Sequence, residues 1–529
     1  MLIVGFDGQS VNKNSQIVKD MQKYHLGGVI LFDVNYHNRS QQKNIASPKQ
    51  LQKLTAALKA FSPEPIFIAV DQEGGKVARL KPKYGFTPIP SAFNIAKMPL
   101  QKAKALYQTQ SQMLQQNGIN CNFAPVLDLS VNPKNKVIVG LERSFGKSPK
   151  KVAKYAELLI DTQTQHNIIS VCKHFPGHGS SLGDSHKGFV DVSNTWSKEE
   201  LEPYKILIKK HKIDAIMTAH IFNKHLDALY PATLSYKVNT QLLRNELGFK
   251  GLIISDDMQM RAISKYYSLK DATTLAINAG VDILLFGNQL SHNSVKEIVE
   301  TIFTQVKSGK IPLQKIINAN EKIEYLLTKN SIVQKPIIFT AKRKAMTKAY
   351  IKKHYSIDAK DISIKPKIIV LHWTAVTNFK DSYARLYPEK LFSDRKDIAA
   401  ASQLNVSAHF LVDRDGTIYQ LMPDDWMARH VIGLNYSAIG VENVGGEANK
   451  KEDLTPAQVA ANIRLVKYLK MKYPDIHYLI GHYEYKKMQT NPLWLEKDAS
   501  YRTTKADPGK KFMQAVRKGV VSLHLKGAE

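Results

Sequence analysis

Eight short apolar segments recur through the first 330 residues of this 529-residue chain, and longer amphipathic stretches separate them. Apolar strands that alternate with helices predict a parallel sheet covered on both faces. Two of the intervening helices should begin at Ser47-Pro48 and Ser148-Pro149, because serine caps a helix and proline suits its first position. Eight such units predict an α/β fold of the (β/α)8, or TIM barrel, type. The predicted strands are 2–6, 28–32, 66–70, 121–127, 168–174, 215–220, 252–257 and 282–287.

Polar side chains stand at the carboxyl ends of several predicted strands, where (β/α)8 enzymes carry their chemistry. A single polar strand end is often merely solvated, but burial of a core does not explain charges at so many matching ends. The segment KHFPGHGSSLGDSH (173–186) adds three histidines on a glycine-rich loop. The sequence therefore predicts a catalytic site at this mouth of the barrel. The strand-end residues are Asp71, Lys173, His174, His220, Asp256 and Asp257.

Residues 1–330 contain, in chain order, the motifs AVDQEGG (69–75), ERSFG (142–146), KHFPGHG with DSH (184–186), MTAH (217–220), PATLS (231–235) and ISDDMQM (254–260). Together they resemble the motifs of the family 3 glycoside hydrolases, specifically the β-N-acetylglucosaminidases that process peptidoglycan fragments. The resemblance implies that Asp256 is the nucleophile of a retaining mechanism and that His186, held by Asp184, donates the proton. It implies no cofactor for this domain. We expect His178 to be structural, and the role of His220 stays open. The implied sugar contacts are Asp71, Arg143, Lys173 and His174.

The adjacent carboxylates Asp256 and Asp257 permit a second mechanism, in which the substrate acetamide attacks the anomeric carbon and a carboxylate pair assists. Neighbours on an extended strand point to opposite faces, so only one of them can aim into the barrel mouth. This argument favours a single carboxylate nucleophile over the assisted mechanism.

A different pattern occupies the last third of the chain. Residues 331–365, which include AKRKAMTKAYIKKHY (341–355), are predicted to be a basic linker, and residues 366–529 to be a mixed α/β domain. The domain has candidate strands at 368–375, 439–446 and 479–485, and a hairpin at 407–421. His372, His482 and Asp507 are too widely spaced for a local metal motif, yet three such groups can converge on one ion. Three protein ligands plus water are typical of a catalytic zinc site.

These residues resemble the zinc-dependent type 2 N-acetylmuramoyl-L-alanine amidases. The resemblance implies that His372, His482 and Asp507 bind Zn²⁺, with Glu442 as the base and Lys505 stabilising the oxyanion of the tetrahedral intermediate. The sequence departs from the family in one place, because residues 484–504 separate His482 from Lys505.

Charge and composition limit the kinds of molecule that this chain is expected to bind. Lys plus Arg number 75 and Asp plus Glu 46, giving a formal net charge of +29, which favours anionic partners. No nucleic-acid module is visible, two cysteines cannot form a disulfide framework, and no apolar run matches a membrane span. Because no signal peptide precedes the first strand, we expect a cytoplasmic location, or a periplasmic one if the N-terminus is trimmed.

Together these features predict a bifunctional peptidoglycan hydrolase that acts on muropeptides and has no transmembrane segment. Its barrel would release non-reducing N-acetylglucosamine, and its second domain would cleave the bond between N-acetylmuramic acid and L-alanine. Three alternatives stay open at this point. They are a non-catalytic peptidoglycan-recognition domain at the C-terminus, a broad hexosaminidase without a link to peptidoglycan, and nucleic-acid binding through the basic segment.

Overall fold

The computed structural model describes residues 1–528 and separates into two compact units, unit 1 (Met1–Asn330) and unit 2, which begins at Ser331. Unit 1 is a closed barrel of eight parallel strands in sequence order, with the eighth strand paired to the first. The predicted (β/α)8 barrel is therefore confirmed. Its strands are β1 (Leu2–Gly5), β2 (Gly28–Ile30), β3 (Phe67–Val70), β4 (Cys121–Asn122), β5 (Ile169–Phe175), β6 (Ala215–Thr218), β7 (Leu252–Asp257) and β8 (Ile283–Phe286).

Helices surround this barrel. The two Ser-Pro helix starts are confirmed, since Ser47 Oγ accepts from Gln50 N and Ser148 Oγ from Lys151 N. Between β6 and β7 the chain forms a π-helical segment, Lys237–Glu246. The α-helices are α1 (Gln16–Tyr24), α2 (Pro48–Phe61), α3 (Ala92–Ile95), α4 (Leu100–Gln116), α5 (Pro149–Gln165), α6 (Glu202–Lys209), α7 (Arg261–Ser264), α8 (Leu269–Ala279), α9 (Val295–Lys307) and α10 (Leu313–Ser331).

Strand residues alternate between two cores. Ile3 and Phe67 point into the barrel, whereas Val4 and Ile68 pack outward against the helices. Helix α10 covers the amino-terminal end of the barrel, where the isoleucine and two leucines within 323–327 join the interior cluster and two of the helix's lysines pair with acids that precede strands. Only the carboxyl ends of the strands are left for a substrate.

Unit 2 contains a six-stranded mixed sheet in the order β14-β10-β13-β11-β12-β9. β11 and β12 form the predicted antiparallel hairpin, and the other neighbouring pairs are parallel. The strands are β9 (Val333–Gln334), β10 (Ile368–Trp373), β11 (Phe410–Val412), β12 (Ile418–Gln420), β13 (Ala438–Asn443) and β14 (Tyr478–Gly481). The α-helices are α11 (Ala341–Tyr355), α12 (Phe379–Leu386), α13 (Lys396–Ala399), α14 (Pro456–Lys472) and α15 (Lys510–Gly519), and a 3-10 helix spans His482–Thr490.

The structure corrects the prediction that residues 331–365 are a linker. β9 adds a strand to the sheet beside β12, and α11 buries Tyr350 and Ile351 in the core of unit 2. Arg343 on the same face of α11 is fully buried and donates to backbone carbonyls, including that of Ile338 at 2.9 Å. The lysines of α11 lie on its exposed face. The basic segment is therefore part of the unit 2 fold.

Both cysteines, Cys121 in β4 and Cys172 in β5, are buried free thiols. Burial raises the pKa of each thiol far above its ordinary value, so neither is activated as a nucleophile. Across residues 1–528, no helix combines the length and apolarity that crossing a membrane requires.

Candidate active sites in the two units

A cavity of about 610 Å³ opens at the carboxyl ends of the barrel strands. It brings together the predicted catalytic and sugar-contact residues, although the loops that carry them lie far apart in the chain, whereas His220 does not line it. This convergence is the geometry expected of a (β/α)8 enzyme. The predicted residues that line it are Asp71, Arg143, Lys173, His174, Asp184, His186 and Asp256.

The two carboxylates at the end of β7 have different surroundings. Asp257 Oδ1 accepts the backbone N–H groups of Gln259 at 3.1 Å and Gly287 at 3.2 Å. Burial, together with the charge of Asp256, raises the pKa of Asp257 to about 6. Burial also acts to raise the pKa of Asp256, but the imidazoles of three histidines outweigh it, and the net shift is downward. Asp256 is thus the carboxylate that stays ionised beside the cavity.

His220 supports the end of β7 from the neighbouring strand. Its Nδ1 lies 2.8 Å from Thr233 Oγ1 and its Nε2 lies 2.9 Å from the carbonyl oxygen of Asp257. Thr233, which belongs to the PATLS motif, also donates to the Ala219 carbonyl. Both ring nitrogens of His220 are therefore occupied, and the residue positions the backbone on which Asp256 stands.

The loop after β5 carries a histidine–aspartate pair at its tip. Asp184 Oδ1 lies 3.0 Å from His186 Nδ1 and also accepts the His186 backbone N–H at 3.0 Å. Burial acts to lower the pKa of His186, but the hydrogen bond to Asp184 and the charge of Asp256 reverse this and raise it overall. The imidazole is half exposed, so it can meet a substrate.

Several contacts fix this loop above the barrel. Asn135 Nδ2 donates to the carbonyl oxygens of His178 and Gly179, and Glu200 Oε2 accepts the Gly179 N–H at 2.8 Å. The Ser185 carbonyl oxygen accepts the Ala262 N–H from the start of α7, directly after the β7 loop. The loop bearing His186 is therefore tied to the segment that follows Asp256.

A buried network of charges forms one wall of the cavity. Lys173 Nζ contacts Asp71 and Glu73, each at 2.8 Å, and Arg143 binds Glu73 through two nitrogens at 2.8 Å each. Arg79 adds a second contact to Asp71, at 3.2 Å. Burial acts to raise the pKa of Asp71, but Lys173 and Arg79 lower it far more, so Asp71 stays ionised. Such groups can recognise hydroxyl groups of a sugar.

Asp128 orients His174 toward this network. Its Oδ2 lies 2.7 Å from His174 Nδ1, and its Oδ1 accepts the backbone N–H of His178 at 2.8 Å. On the other side of the ring, His174 Nε2 lies 3.3 Å from Arg143 Nη2. A guanidinium can only donate, so His174 carries its proton on Nδ1. His178 also lines the cavity, with its Nδ1 2.6 Å from Ser181 Oγ, and its structural role stays a prediction.

Unit 2 contains its own cavity of about 710 Å³, around a cluster of two histidines and one aspartate. His372 Nδ1 and His482 Nδ1 are 3.0 Å apart, and Asp507 Oδ2 lies 3.2 Å and 2.9 Å from them. Burial lowers the pKa of His482 to about 4, which leaves its ring neutral. Four-coordinate zinc with ligand bonds of about 2.0–2.1 Å separates its ligands by roughly 3.3 Å, so the three groups fit a metal of this kind.

Glu442 and Lys505 flank the cluster. Glu442 is paired with His372 across β13 and β10, so both side chains leave the same face of the sheet. Glu442 Oε2 is buried and has no hydrogen-bond partner. Burial and the charge of Asp507 raise the pKa of Glu442 well above its ordinary value, against the lowering effect of Arg395 and Lys505. Burial lowers the pKa of Lys505.

The insertion at 484–504 leaves the cluster intact. Tyr485 Oη donates to the Thr503 carbonyl oxygen at 2.6 Å and accepts the Thr503 N–H at 2.8 Å. This double contact joins the two ends of the insertion. The chain therefore returns to place Lys505 and Asp507 beside His482.

Sequence reasoning missed several side chains that shape these sites. In unit 1 they are Glu73, two residues after Asp71, and Asp128, which follows β4. In unit 2 they are His430, which lies 3.0 Å from His372, and Arg395, which lines the cavity. Glu73 and Asp128 share the strand-end signal that identified Asp71, whereas nothing local in the sequence marks His430 or Arg395.

Comparisons with known proteins agree with this division. Residues 2–326 match the family model of the glycosyl hydrolase family 3 N-terminal domain, and residues 363–510 match that of N-acetylmuramoyl-L-alanine amidase. The chain is 33% identical over 332 residues to β-hexosaminidase A of Pseudoalteromonas piscicida, an alignment that covers 58% of this chain and 54% of that protein. It is 34% identical over 277 residues to a β-hexosaminidase of Nitrosomonas eutropha, covering 50% and 74%. The chain thus spans about half the length of the first of these relatives.

Solved structures give the same result for the fold. A family 3 β-N-acetylglucosaminidase from a Paenibacillus species has a TM-score of 0.57 at 22% identity, covering 100% of this chain and 96% of that one. NagZ from Neisseria gonorrhoeae, solved with N-trifluoroacetyl-D-glucosamine, has a TM-score of 0.50 at 27% identity, covering 61% and 89%. The chain therefore belongs to glycosyl hydrolase family 3 through its barrel, to which a domain of the N-acetylmuramoyl-L-alanine amidase family is fused.

Proposed function

We propose that this protein is a bifunctional peptidoglycan hydrolase, in which unit 1 is a retaining β-N-acetylglucosaminidase and unit 2 is a zinc-dependent N-acetylmuramoyl-L-alanine amidase. One observation carries the proposal, namely that each unit of the chain holds a complete set of reactive groups around its own cavity. In unit 1 the set is an ionised carboxylate with a histidine–aspartate pair. In unit 2 it is a three-ligand cluster with an unpaired buried carboxylate.

In the glycosidase, Asp256 attacks the anomeric carbon while His186 donates a proton to the departing glycosidic oxygen. The bond between sugar and leaving group breaks as the Asp256 ester forms, and the ring nitrogen of His186 loses the proton. Water then hydrolyses the ester, and His186 takes up a proton from that water. Asp184 holds the imidazole in place and stabilises its charged form. Assistance to attack by the substrate acetamide is the alternative, but of the two carboxylates at the end of β7 Asp256 has a lowered pKa and Asp257 a raised one, which favours a single ionised nucleophile.

The charged wall of unit 1 supports binding of a sugar at the same place. Asp71 accepts hydrogen bonds, whereas Arg143 and Lys173 donate them, so neighbouring hydroxyl groups can be held by both kinds of partner. His174 presents an unprotonated Nε2 beside Arg143. Burial makes these contacts stronger than they would be in water.

In the amidase, His372, His482 and Asp507 would hold a zinc ion. Zinc bound there supplies a Lewis acid that activates water and polarises the amide carbonyl. Glu442 Oε2 faces this region without a partner and accepts the proton of the attacking water. Glu442, once protonated in this way, delivers the proton to the leaving amine. The Lys505 ammonium stabilises the negative charge that develops on the carbonyl oxygen.

The proposed substrate is a muropeptide that carries both scissile bonds, the glycosidic bond of N-acetylglucosamine and the amide to L-alanine. Two relatives of unit 1 are named β-hexosaminidases, and the family matched by unit 2 is named for the amide. Fusion of the two units raises the effective concentration of each product at the other site. We assign the glycosidase to residues 1–330 and the amidase to residues 366–529, with 331–365 belonging to the fold of the latter.

Two measurements test the proposal unit by unit. Proton NMR of the first N-acetylglucosamine released should show the β anomer, because two displacements retain configuration. Release of the α anomer would exclude the Asp256 ester.

Metal analysis of the purified protein should give one zinc per chain, and its loss from His372→Ala would support the cluster. A chain that binds no zinc in unit 2 would instead favour a non-catalytic recognition domain.

A further inference from the structure

His430, a buried histidine outside the ligand set, contacts the metal-ligand candidate His372 on the side of its ring away from the cluster. His372 Nε2 lies 3.0 Å from His430 Nδ1, and the two rings are nearly perpendicular, with centroids 5.1 Å apart. His372 Nδ1, on the opposite side of the same ring, faces His482 and Asp507. His372 therefore lies between the cluster and His430.

The far nitrogen of His430 decides where the protons are. His430 Nε2 lies 3.2 Å from the carbonyl oxygen of Ala438, which can only accept a hydrogen bond. His430 Nε2 consequently carries hydrogen, and in the neutral ring His430 Nδ1 is an acceptor. His372 Nε2 must then donate to it, and in a neutral His372 ring this leaves Nδ1 with a free lone pair. The chain of hydrogen bonds runs from His372 through His430 to Ala438.

The surroundings hold His430 in this orientation. Gly440 on β13 has no side chain where the ring lies, and a Cβ there would come within 2.6 Å of His430 Cγ. Asn435 Oδ1 accepts the backbone N–H groups of His430 and Val431, both at 2.8 Å. The His430 ring thus packs against Gly440, and its backbone is hydrogen-bonded to the side chain of Asn435. These contacts leave the ring little freedom to turn.

We propose that His430 is a positioning residue that fixes the tautomer of His372 and thereby presents the Nδ1 lone pair of His372 to the metal. The inference rests on the proposed zinc site of unit 2 and adds to it a residue outside the ligand set. Groups behind a histidine ligand commonly change metal affinity by about 10–100-fold. His430 acts through His372, and we assign it no contact with substrate.

The test compares two substitutions of His430 in the full-length protein. His430→Leu removes the acceptor, whereas His430→Asn keeps an oxygen near the place of Nδ1. We expect the zinc Kd, measured by chelator competition, to rise about 10–100-fold in His430→Leu. In His430→Asn most of the affinity should return. Long-range ¹H–¹⁵N NMR of the metal-free wild type should show His372 protonated on Nε2 alone.

A matched control separates loss of this contact from general destabilisation. His354 is also buried in unit 2, with its ring nitrogens against Glu496 and the Ala401 carbonyl, but it is not part of the cluster. His354→Leu should lower the midpoint of unfolding and leave the zinc Kd unchanged. An unchanged zinc Kd in folded His430→Leu, or His372 protonated on Nδ1, would overturn the inference. A wild-type protein that binds no zinc would instead refute the proposed amidase.

Discussion

Removing the carboxylate of Asp184 tests the proposed proton donor most sharply. Asp184→Asn keeps an oxygen that can accept from His186 but removes the charge, whereas Asp184→Ala removes both. The wild-type contact is a 3.0 Å pair between a half-exposed imidazole and a carboxyl group that is 28% exposed. Pairs at this exposure are worth about 0.2–1 kcal/mol, because water screens them.

That energy sets the size of the expected effects. At 1 kcal/mol the charge accounts for at most about a five-fold change in rate, since 1.36 kcal/mol corresponds to ten-fold. Asp184→Asn should therefore lose about five-fold in kcat/KM on a muropeptide. Asp184→Ala also releases the ring, and because general acid catalysis contributes about 10²–10⁴-fold, we expect a loss of about 10²-fold.

The pH profile gives the direction of the change. Asp184 and Asp256 raise the pKa of His186 against the lowering effect of burial, so the donor stays protonated to higher pH. Activity should fall as pH rises through that pKa, and this alkaline limb should move to lower pH in both variants. Asp191, which accepts from Ser193 and lies outside the cavity, provides the control Asp191→Asn, which should keep the wild-type profile.

The leaving group supplies the second readout. The phenolate of a 2,4-dinitrophenyl glycoside departs without a proton. Both variants should therefore keep kcat/KM on this substrate, which reports formation of the Asp256 ester, close to the wild-type value. Equal losses on this substrate and on the muropeptide, together with an unmoved alkaline limb, would show that Asp184 has no part in proton transfer.

Four further changes separate the two units. Asp256→Ala should abolish release of N-acetylglucosamine and leave amide cleavage intact, which mass spectrometry of both products would check. His372→Ala should do the reverse, and loss of both activities in a folded variant would contradict independent sites. Glu442→Gln should reduce amide cleavage by about 10²–10⁴-fold while one zinc stays bound, because it removes a base and no ligand. Arg343→Ala should lower the free energy of unfolding of unit 2 by about 2–4 kcal/mol, measured in urea through loss of amidase activity, with glycosidase activity unaffected.

The barrel and most of its site could be predicted because their signals are local. Each strand is a short apolar run, and a residue at its carboxyl end must reach the mouth of the barrel whatever the helices do. Asp71, Lys173 and Asp256 were found in this way. The pair Asp184 and His186 lies two residues apart in one loop, so its contact also needs no tertiary information.

The sequence does not reveal that helix α11 packs into the core of unit 2, because polar residues occupy part of its buried face. Arg343, Thr347 and His354 are buried beside Tyr350 and Ile351, so the apolar stripe that signals a packed helix is broken. Arg343 is tolerated inside because backbone carbonyls of neighbouring segments accept its hydrogen bonds. Those partners lie elsewhere in the chain and leave no trace in the helix itself.

The sequence predicts which residues form the amidase cluster, but not the contacts that hold them together. His372, Glu442 and His482 follow strand patterns, whereas the return of the chain to Asp507 depends on the contact between Tyr485 and Thr503. The contact between His430 and His372 can be recognised only in the folded structure, in which β10 and β13 are paired. Tertiary contacts of this kind determine which histidines of a chain become neighbours.

The most direct test of the whole account is a mass-spectrometric digest of GlcNAc-anhydroMurNAc-tetrapeptide with and without EDTA. We expect loss of N-acetylglucosamine in both samples and release of the peptide only where EDTA is absent. Peptide release that persists in EDTA would contradict the metal site of unit 2. Release of N-acetylglucosamine alone in both samples would contradict the amidase and leave unit 2 as a recognition domain.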